Sequence, residues 1–223
     1  MRCDARTSRP WMLATVSCGF YGWQVAFIGT EFVRRRLTES RAVEVTGDFD
    51  RELQDSAYKP AAVLVPVVAR GMDEFLLFTR RTDHLHHHPG QISFPGGRVE
   101  AQDSTPVDTA LRETEEEIGL DRRHVELLGA LPDYYTGTGF RVTPVVGLVH
   151  PPFELQLDAF EVAEAFEVPL GHFLDPANHQ RHSLVHEGRE RHFHAMPYKD
   201  YFIWGATAGI LMSLYRLLRE PER

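Results

Sequence analysis

Residues 110–119, ALRETEEEIG, place four carboxylates, Glu113, Glu115, Glu116 and Glu117, within five positions. Like charges one turn apart on a helix cost about 0.2–0.5 kcal/mol per pair, so the cluster needs something to offset it. At 100° per residue Glu113, Glu116 and Glu117 fall in one narrow arc, while Glu115 points away. Three convergent carboxylates make a hard-oxygen set of the kind that suits Mg²⁺ or Mn²⁺, ions that also bridge to substrate phosphate. The planar guanidinium of Arg112 lies beside the cluster, where it can orient a carboxylate through paired hydrogen bonds. A solvated, charge-rich helix face is the plain alternative. The balance is tilted by FPGG at residues 94–97. There, adjacent Gly96 and Gly97 let backbone amides and carbonyls approach a metal or phosphate closely.

The elements that must position these groups can be read from caps and periodicity. Thr105, Pro106 and Asp108 fit the N-cap, first helical position and N3, and Gly119 fits the position just past the C-cap, which frames a helix over 106–118. Lys59 and Pro60 open AAVLVPVV, an apolar run of strand character, and EFLLFTR at 74–80 reads as its neighbour. The segment HLHHHPGQISFPGGRVE is a loop with one short strand inside it. VELLGAL and RVTPVVGLVH read as strands, DAFEVAEAFEVPL as a loop or short helix, and residues 201–218 as a closing helix. Residues 31–55 are charged and loosely helical, and the histidines from His179 to His194 scatter around a hairpin. Strands interleaved with good helices point to an α/β sandwich with a mixed sheet between helices.

Composition narrows the function classes. A chain of 223 residues with 43% hydrophobic and 25% charged content suffices for one substantial core, taken here as a single domain over residues 30–223. Residues 1–29 read as a poorly ordered extension, or as a start assigned too far upstream. A net charge of -8 argues against holding nucleic acid on a broad basic surface, so a phosphate-bearing ligand must be small and locally held. The two cysteines, Cys3 and Cys18, precede the patterned region, which leaves the core no disulfide framework and no thiolate zinc site. A reducing, cytoplasmic setting is expected, with no membrane partner, because the apolar run at 201–218 is at the short limit for spanning. His84, His86, His87 and His88 are adjacent loop residues, a spacing that seldom converges on one zinc ion. Trp204 and Phe202 are expected in the core rather than as a stacking platform.

At this point the residues carry a resemblance. GGRVEAQDSTPVDTALRETEEEIGL resembles the Nudix hydrolase box, G-x(5)-E-x(7)-R-E-U-x-E-E-x-G-U with U aliphatic. Gly97 and Asp103 have the first spacing, with Asp103 in place of Glu. Eight residues rather than seven precede Arg112, and Thr114 stands at an aliphatic position. A narrower resemblance is to the coenzyme A pyrophosphatases of that superfamily, L-L-T-x-R-[SA]-x(3)-R-x(3)-G-x(3)-F-P-G-G. Here Leu77, Thr79, Arg81, Gly90, Phe94, Pro95, Gly96 and Gly97 stand in register, while Thr82 and His86 depart from the pattern.

The resemblance implies a Nudix-like α/β/α sandwich and Mg²⁺- or Mn²⁺-dependent hydrolysis of a nucleoside diphosphate derivative. Mapped onto matching positions, it implies Glu116 and Glu117 as principal metal ligands, Glu113 as a further ligand or base, and Gly97 as a carbonyl ligand. Arg112 would be the orienting partner and Glu161 a second candidate for the base. It implies cleavage of coenzyme A to 4′-phosphopantetheine and adenosine 3′,5′-bisphosphate, whose extra phosphate needs a cation. Arg81 is the candidate, with its neighbour Arg80 on the opposite strand face. His86 could donate to a phosphate, and Gly96 would approach the substrate through its backbone. Two other readings stay open: hydrolysis of ADP-ribose, a dinucleotide or a nucleoside triphosphate, and a module that binds a nucleotide without cleaving it. A second copy of the chain is the macromolecular partner left open.

Overall fold

The computed structural model describes residues 30–39, 46–47, 58–85, 88–186 and 189–219. The expectations placed on residues 1–29 and on His86 lie outside them. Its organising element is strand β2, Lys59–Arg70. Period-two alternation sends Ala62, Leu64 and Val68 to one face and Ala61, Val65 and Val67 to the other, and all six are buried. A strand apolar on both faces must be covered on both, which is why it reads as a continuous hydrophobic run.

β2 runs parallel to β8, Phe140–Val149, with register from Lys59↔Phe140 to Val68↔Val149. It runs antiparallel to β3, Asp73–Arg81. The full order is β1-β7-β8-β2-β3-β4, with β1 at Thr46–Gly47, β4 at Ile92–Ser93 and β7 at Tyr134–Tyr135. β5 (Gly96–Arg98) pairs with β2, β6 (Val125–Ala130) with β8, and β9 (Val162–Pro169) with β3.

On one face lies helix α2, Pro106–Ile118, whose Ala110 and Ile118 pack with Leu64, Val68, Leu77 and Val145. On the other lie α1 (Thr30–Glu39), α3 (Leu170–Leu174) and α4 (Gly205–Arg219), which meet the sheet through Val33, Phe173, Ile210, Leu211, Leu214 and Leu217. This is an α/β/α sandwich around a mixed sheet, as the strand and helix pattern led one to expect. A separate antiparallel hairpin, β10 (Gln180–His186) with β11 (Arg189–Ala195), carries His182, His186, His192 and His194, while His179 precedes it and bonds Phe173 O at 2.8 Å. Among the described residues no helix is long and apolar enough to cross a membrane.

One detail of β2 matters for the site. Its antiparallel partner changes from β5, facing Ala61–Val63, to β3, facing Val67–Arg70. Pro66, which has no N–H to donate, falls in the gap between them. The sheet therefore forks, and Pro95 enters the fork, its carbonyl accepting from Leu64 N at 2.9 Å.

Three expectations are corrected. The segment DAFEVAEAFEVPL contains strand β9 rather than a loop or short helix. Its Ala and Glu content suits a helix, yet pairing along β3 from Phe75↔Pro169 to Arg81↔Val162 overrides that preference. Cross-strand ion pairs Arg70–Glu167 (2.6 Å) and Arg80–Glu164 (3.4 Å) occupy the acidic positions. Secondly, the closing helix starts at Gly205, in left-handed conformation at φ 64°, and not at Tyr201. Residues ahead of it are held instead by the bridges Ala195↔Trp204 and Tyr198↔Tyr201. Because that segment is extended over the surface, Phe202 is 45% exposed and Trp204 half-buried, so neither joins the core.

Candidate active site on the acidic helix

Helix α2 forms where its caps require. Thr105 Oγ1 accepts from Asp108 N at 3.2 Å, Pro106 opens the first turn, and Gly119 ends the helix at φ 67° with its N–H on Glu115 O. That register settles which way each glutamate faces. Glu113 is half-buried and Glu117 only 8% exposed, Glu116 projects to solvent, and Glu115 turns away to pair with Arg122 at 3.1 Å.

Arg112 is the hub. Its Nε and Nη2 form a fork onto Asp103 at 3.0 and 2.9 Å, and Nη1 reaches Glu116 at 3.0 Å and Glu113 at 3.1 Å. Nη2 also donates to Arg98 O at 3.2 Å, which ties the helix to β5. Asp103, whose side chain is 3% exposed, further accepts from Thr109 Oγ1 and Glu100 N, both at 2.9 Å. The Arg112 guanidinium holds the Asp103 carboxyl well below its usual range, and the same pairing raises Arg112. The replacement of the usual glutamate by aspartate at position 103, and the extra residue before Arg112, thus still close a bidentate clamp.

The glycines meet the carboxylates directly. Gly96 N donates to Glu117 Oε2 at 3.2 Å. Gly96 sits at φ 151°, and a Cβ there would strike Ala62 O and Val63 on β2. A Cβ at Gly97 would run into the Glu113 carboxylate. Only glycines let this strand lie flat against the acidic helix.

Glu117 therefore has a single donor for a buried carboxylate. Burial, with the carboxylates of Glu113 and Glu161 nearby, pushes it up to about 8 against the Gly96 hydrogen bond and the charge of Arg81. Burial likewise raises Glu113, helped by Glu116 and Glu100 and opposed by Arg112. Glu117, enclosed with one backbone donor, and Glu113, which shares Arg112 with Asp103 and Glu116, are what a divalent cation would complement, so the residues present fit a hard cation. They do not form a finished cage: among the described residues no three His, Cys, Asp or Glu side chains are gathered as a ready metal site. Arg112 holds Glu116 and Glu113, and Glu117 faces the glycine turn.

Arg81 and Glu161 also come to this face. Leu77 packs toward α2 and Phe78 toward α4, so alternation along β3 sends Thr79 and Arg81 to the acidic side and Arg80 to the opposite one. Arg81 Nη1 is 3.9 Å from Glu161 Oε2. The loop bearing Glu161 is fastened to the acidic helix by a residue the sequence reading passed over. Asp158 N donates to Glu117 O at 2.9 Å, and Asp158 O accepts from Glu161 N and Val162 N at 3.0 and 2.8 Å. Asp158 Oδ1 also takes Phe160 N at 2.9 Å, an Asx-type turn that an Asp two residues before an apolar position hints at. Sequence reasoning also missed the clefts on the far side of the fork, which are lined by residues from distant segments.

A capped acidic helix clamped to a glycine turn, with arginine and a further carboxylate alongside, is the outline of a site for a metal-held phosphate ester or anhydride. The chain belongs to the NUDIX domain family, whose profile matches residues 58–187. It is 40% identical over 156 residues to a protein of Enterobacter sp. (strain 638) called Uncharacterized Nudix hydrolase NudL, covering 70% of this chain and 81% of that one. The protein of the same name in Escherichia coli K12 is 39% identical over 157 residues, with the same shares covered. Among solved structures, a MutT/nudix family protein from Enterococcus faecalis aligns over 77% of this chain and 66% of its own, with 19% identity and a TM-score of 0.47.

Proposed function

We propose that this protein hydrolyses the diphosphate linkage of coenzyme A or its derivatives, releasing 4′-phosphopantetheine and adenosine 3′,5′-bisphosphate. The supporting observation is the packing of Gly96 and Gly97 on Glu117 and Glu113 with Arg81 alongside. One spot thus gathers anionic ligands, free-approach backbone and a cation. The coenzyme A reading adds the run from Leu77 to Gly97, whose Arg81 and FPGG are the residues that build this spot.

In this reading Glu116, Glu117 and Glu113, with the Gly97 carbonyl, would hold Mg²⁺ or Mn²⁺. When bound, the cation neutralises diphosphate charge and lowers the pKa of water. Arg112 keeps Glu116 and Glu113 oriented through its clamp on Asp103 and takes no part in the bond change. Arg81 holds a diphosphate oxygen, and the Gly96 turn lets the substrate approach the backbone. Glu161 accepts the proton of the water that attacks one phosphorus, and the bridging oxygen departs with the other phosphate. His86, within the same run, is proposed to donate a hydrogen bond to a phosphate. Placement and charge stabilisation supply most of the acceleration in such a displacement.

The test is incubation of purified protein with a panel of diphosphates (coenzyme A, acylated and oxidised coenzyme A, ADP-ribose, dinucleotides, nucleoside triphosphates) plus Mg²⁺ or Mn²⁺, with products identified by mass. Coenzyme A derivatives should give the highest kcat/KM and the two named products. A clear preference for another member of the panel would refute the substrate assignment.

A further inference from the structure

Behind the glycine turn, on the face opposite the acidic helix, lie two adjoining hollows. The inner one, 330 Å³, begins at Val63 and Phe94, the residues that pair with and lead into the Pro95–Gly96 turn. Its lining contains no Asp, Glu, Lys or Arg: beside His88, which it shares with the outer hollow, it has apolar groups, Trp204 and the polar groups of Gln91, Ser93 and three threonines. Such a pocket accepts an uncharged ring and opposes a phosphate. The outer hollow, 780 Å³, shares His88, Gln91 and Trp204 with it, and adds two cations, Arg80 and Lys199, two carboxylates, Glu164 and Asp200, and the exposed Phe202. The fixed charges, of both signs, thus begin one step outward from the turn.

Arg80 and Lys199 are held there by the fold. Alternation on β3 sends Arg80 to this side while Arg81 goes to the carboxylates. Arg80 Nε is enclosed with no hydrogen-bond partner and lies 3.4 Å from Glu164. The side chain as a whole remains 44% exposed, so its outer guanidinium faces the hollow. Glu164 is already engaged a second time, by the Tyr201 hydroxyl. Lys199 occupies the left-handed region at φ 51°, at the tip of a turn closed by reciprocal Tyr198 and Tyr201 backbone bonds of 2.9 Å. A lysine held in that region costs free energy, and such residues persist where the surroundings or a function fix them. Among the described residues Lys199 has no ion-pair partner; its ammonium lies 5.0 Å from the Tyr198 ring centroid, and of the two carboxylates on the same rim Glu164 is the one taken by Arg80 and Tyr201, while Asp200 is Lys199's chain neighbour.

We infer that Arg80 and Lys199 form an anion subsite that binds a phosphomonoester carried on the nucleoside half of the substrate, whose base lies in the neutral pocket beside Trp204. The order of the hollows decides between the halves of the molecule. An uncharged amide arm reaching outward would gain nothing from two cations at its end, whereas a nucleoside bearing a second phosphate presents a neutral ring and a dianion side by side. This rests on the coenzyme A reading, in which that group is the 3′-phosphate. Arg81, the cation expected from the sequence for that phosphate, acts instead on the Glu117 side and then serves the diphosphate itself.

The experiment compares kcat/KM for coenzyme A and for 3′-dephospho-coenzyme A in Arg80→Ala, Lys199→Ala and Arg81→Ala. A charge-assisted hydrogen bond contributes about 1.5–3 kcal/mol, so losing one partner should shift the ratio of the two constants roughly 10–100-fold in Arg80→Ala and in Lys199→Ala. Arg80→Lys should restore part of it, and Arg81→Ala should lower both constants and leave the ratio alone. An unchanged ratio in both subsite variants overturns the inference while leaving the coenzyme A activity standing. Calorimetric binding of adenosine 3′,5′-bisphosphate against adenosine 5′-monophosphate gives a readout independent of turnover. Tighter binding of the bisphosphate that is lost in the surface variant Lys199→Ala supports the subsite even if coenzyme A is not cleaved, and equal binding of the two nucleotides to the wild type overturns it.

Discussion

Glu117→Gln separates what the site does from what it costs. The substitution keeps the shape and leaves an amide oxygen to accept from Gly96 N, but it removes the one carboxylate that is 8% exposed and served by a single donor. With the folded group pushed up to about 8 from an ordinary 4.5, its contribution to stability is fully present below pH 4.5 and is lost as pH rises through 8. At about 1.4 kcal/mol per pH unit, ionising it in the metal-free protein costs on the order of 3–5 kcal/mol. Metal-free Glu117→Gln should therefore be more stable than wild type at pH 8–9, and the two should converge toward pH 4.5. Denaturant unfolding in excess chelator across that range measures the difference. Added Mn²⁺ should reverse the order, since only the wild type gains the full binding free energy of the ion. Turnover should fall by orders of magnitude in Glu117→Gln, and also in Glu116→Gln. A folded Glu117→Gln enzyme with near-normal rates, or one no more stable than wild type in chelator at pH 9, would show that this carboxylate neither holds the cation nor bears the strain assigned to it.

Three further outcomes follow from the same geometry. Gly97→Ala drives a methyl into the Glu113 carboxylate and should weaken Mn²⁺ binding by roughly 10–100-fold, read by titration of the ion, while far-UV spectra stay native. Asp103→Asn removes the charge partner of Arg112. Because the folded Asp103 is depressed, its contribution exists above about 3.9 and disappears as pH falls. The variant should thus be less stable at pH 7, and the gap should close in acid unfolding below pH 4; a constant gap would contradict the clamp. Gly209→Ala, on α4, would place a Cβ against the Tyr134 ring and should lower unfolding free energy by about 1–3 kcal/mol through overpacking, with kcat unaffected.

Local chemistry made much of this molecule legible in its sequence. Thr105, Pro106 and Gly119 mark the ends of the acidic helix because capping is decided within four residues of a terminus. Once the ends are known, the 3.6-residue period states which of the glutamates converge. The apolar runs at 61–68 and 142–149 likewise announce strands buried on both sides. What failed was decided at long range. Residues 162–169 have no periodic signal strong enough to oppose their helical composition, and only the free edge of β3 makes them a strand. Phe202 and Trp204 look like core by type, yet the extended segment before Gly205 turns them toward the clefts.

By itself, then, the order of residues determined the caps, the arc shared by Glu113, Glu116 and Glu117 and the paired glycines, since each depends on spacings of a few residues, while the fork of Arg112 onto Asp103, nine residues away, emerged only in the structure. The tertiary structure alone decided which of Arg80 and Arg81 faces the acidic helix and that Asp158 fastens Glu161 to that helix. It also decided that a fork in β2 opens a neutral pocket beside a charged one. Those are consequences of which strand lies next to which, and strand pairing is settled by the burial of the whole core and not by any short stretch of chain.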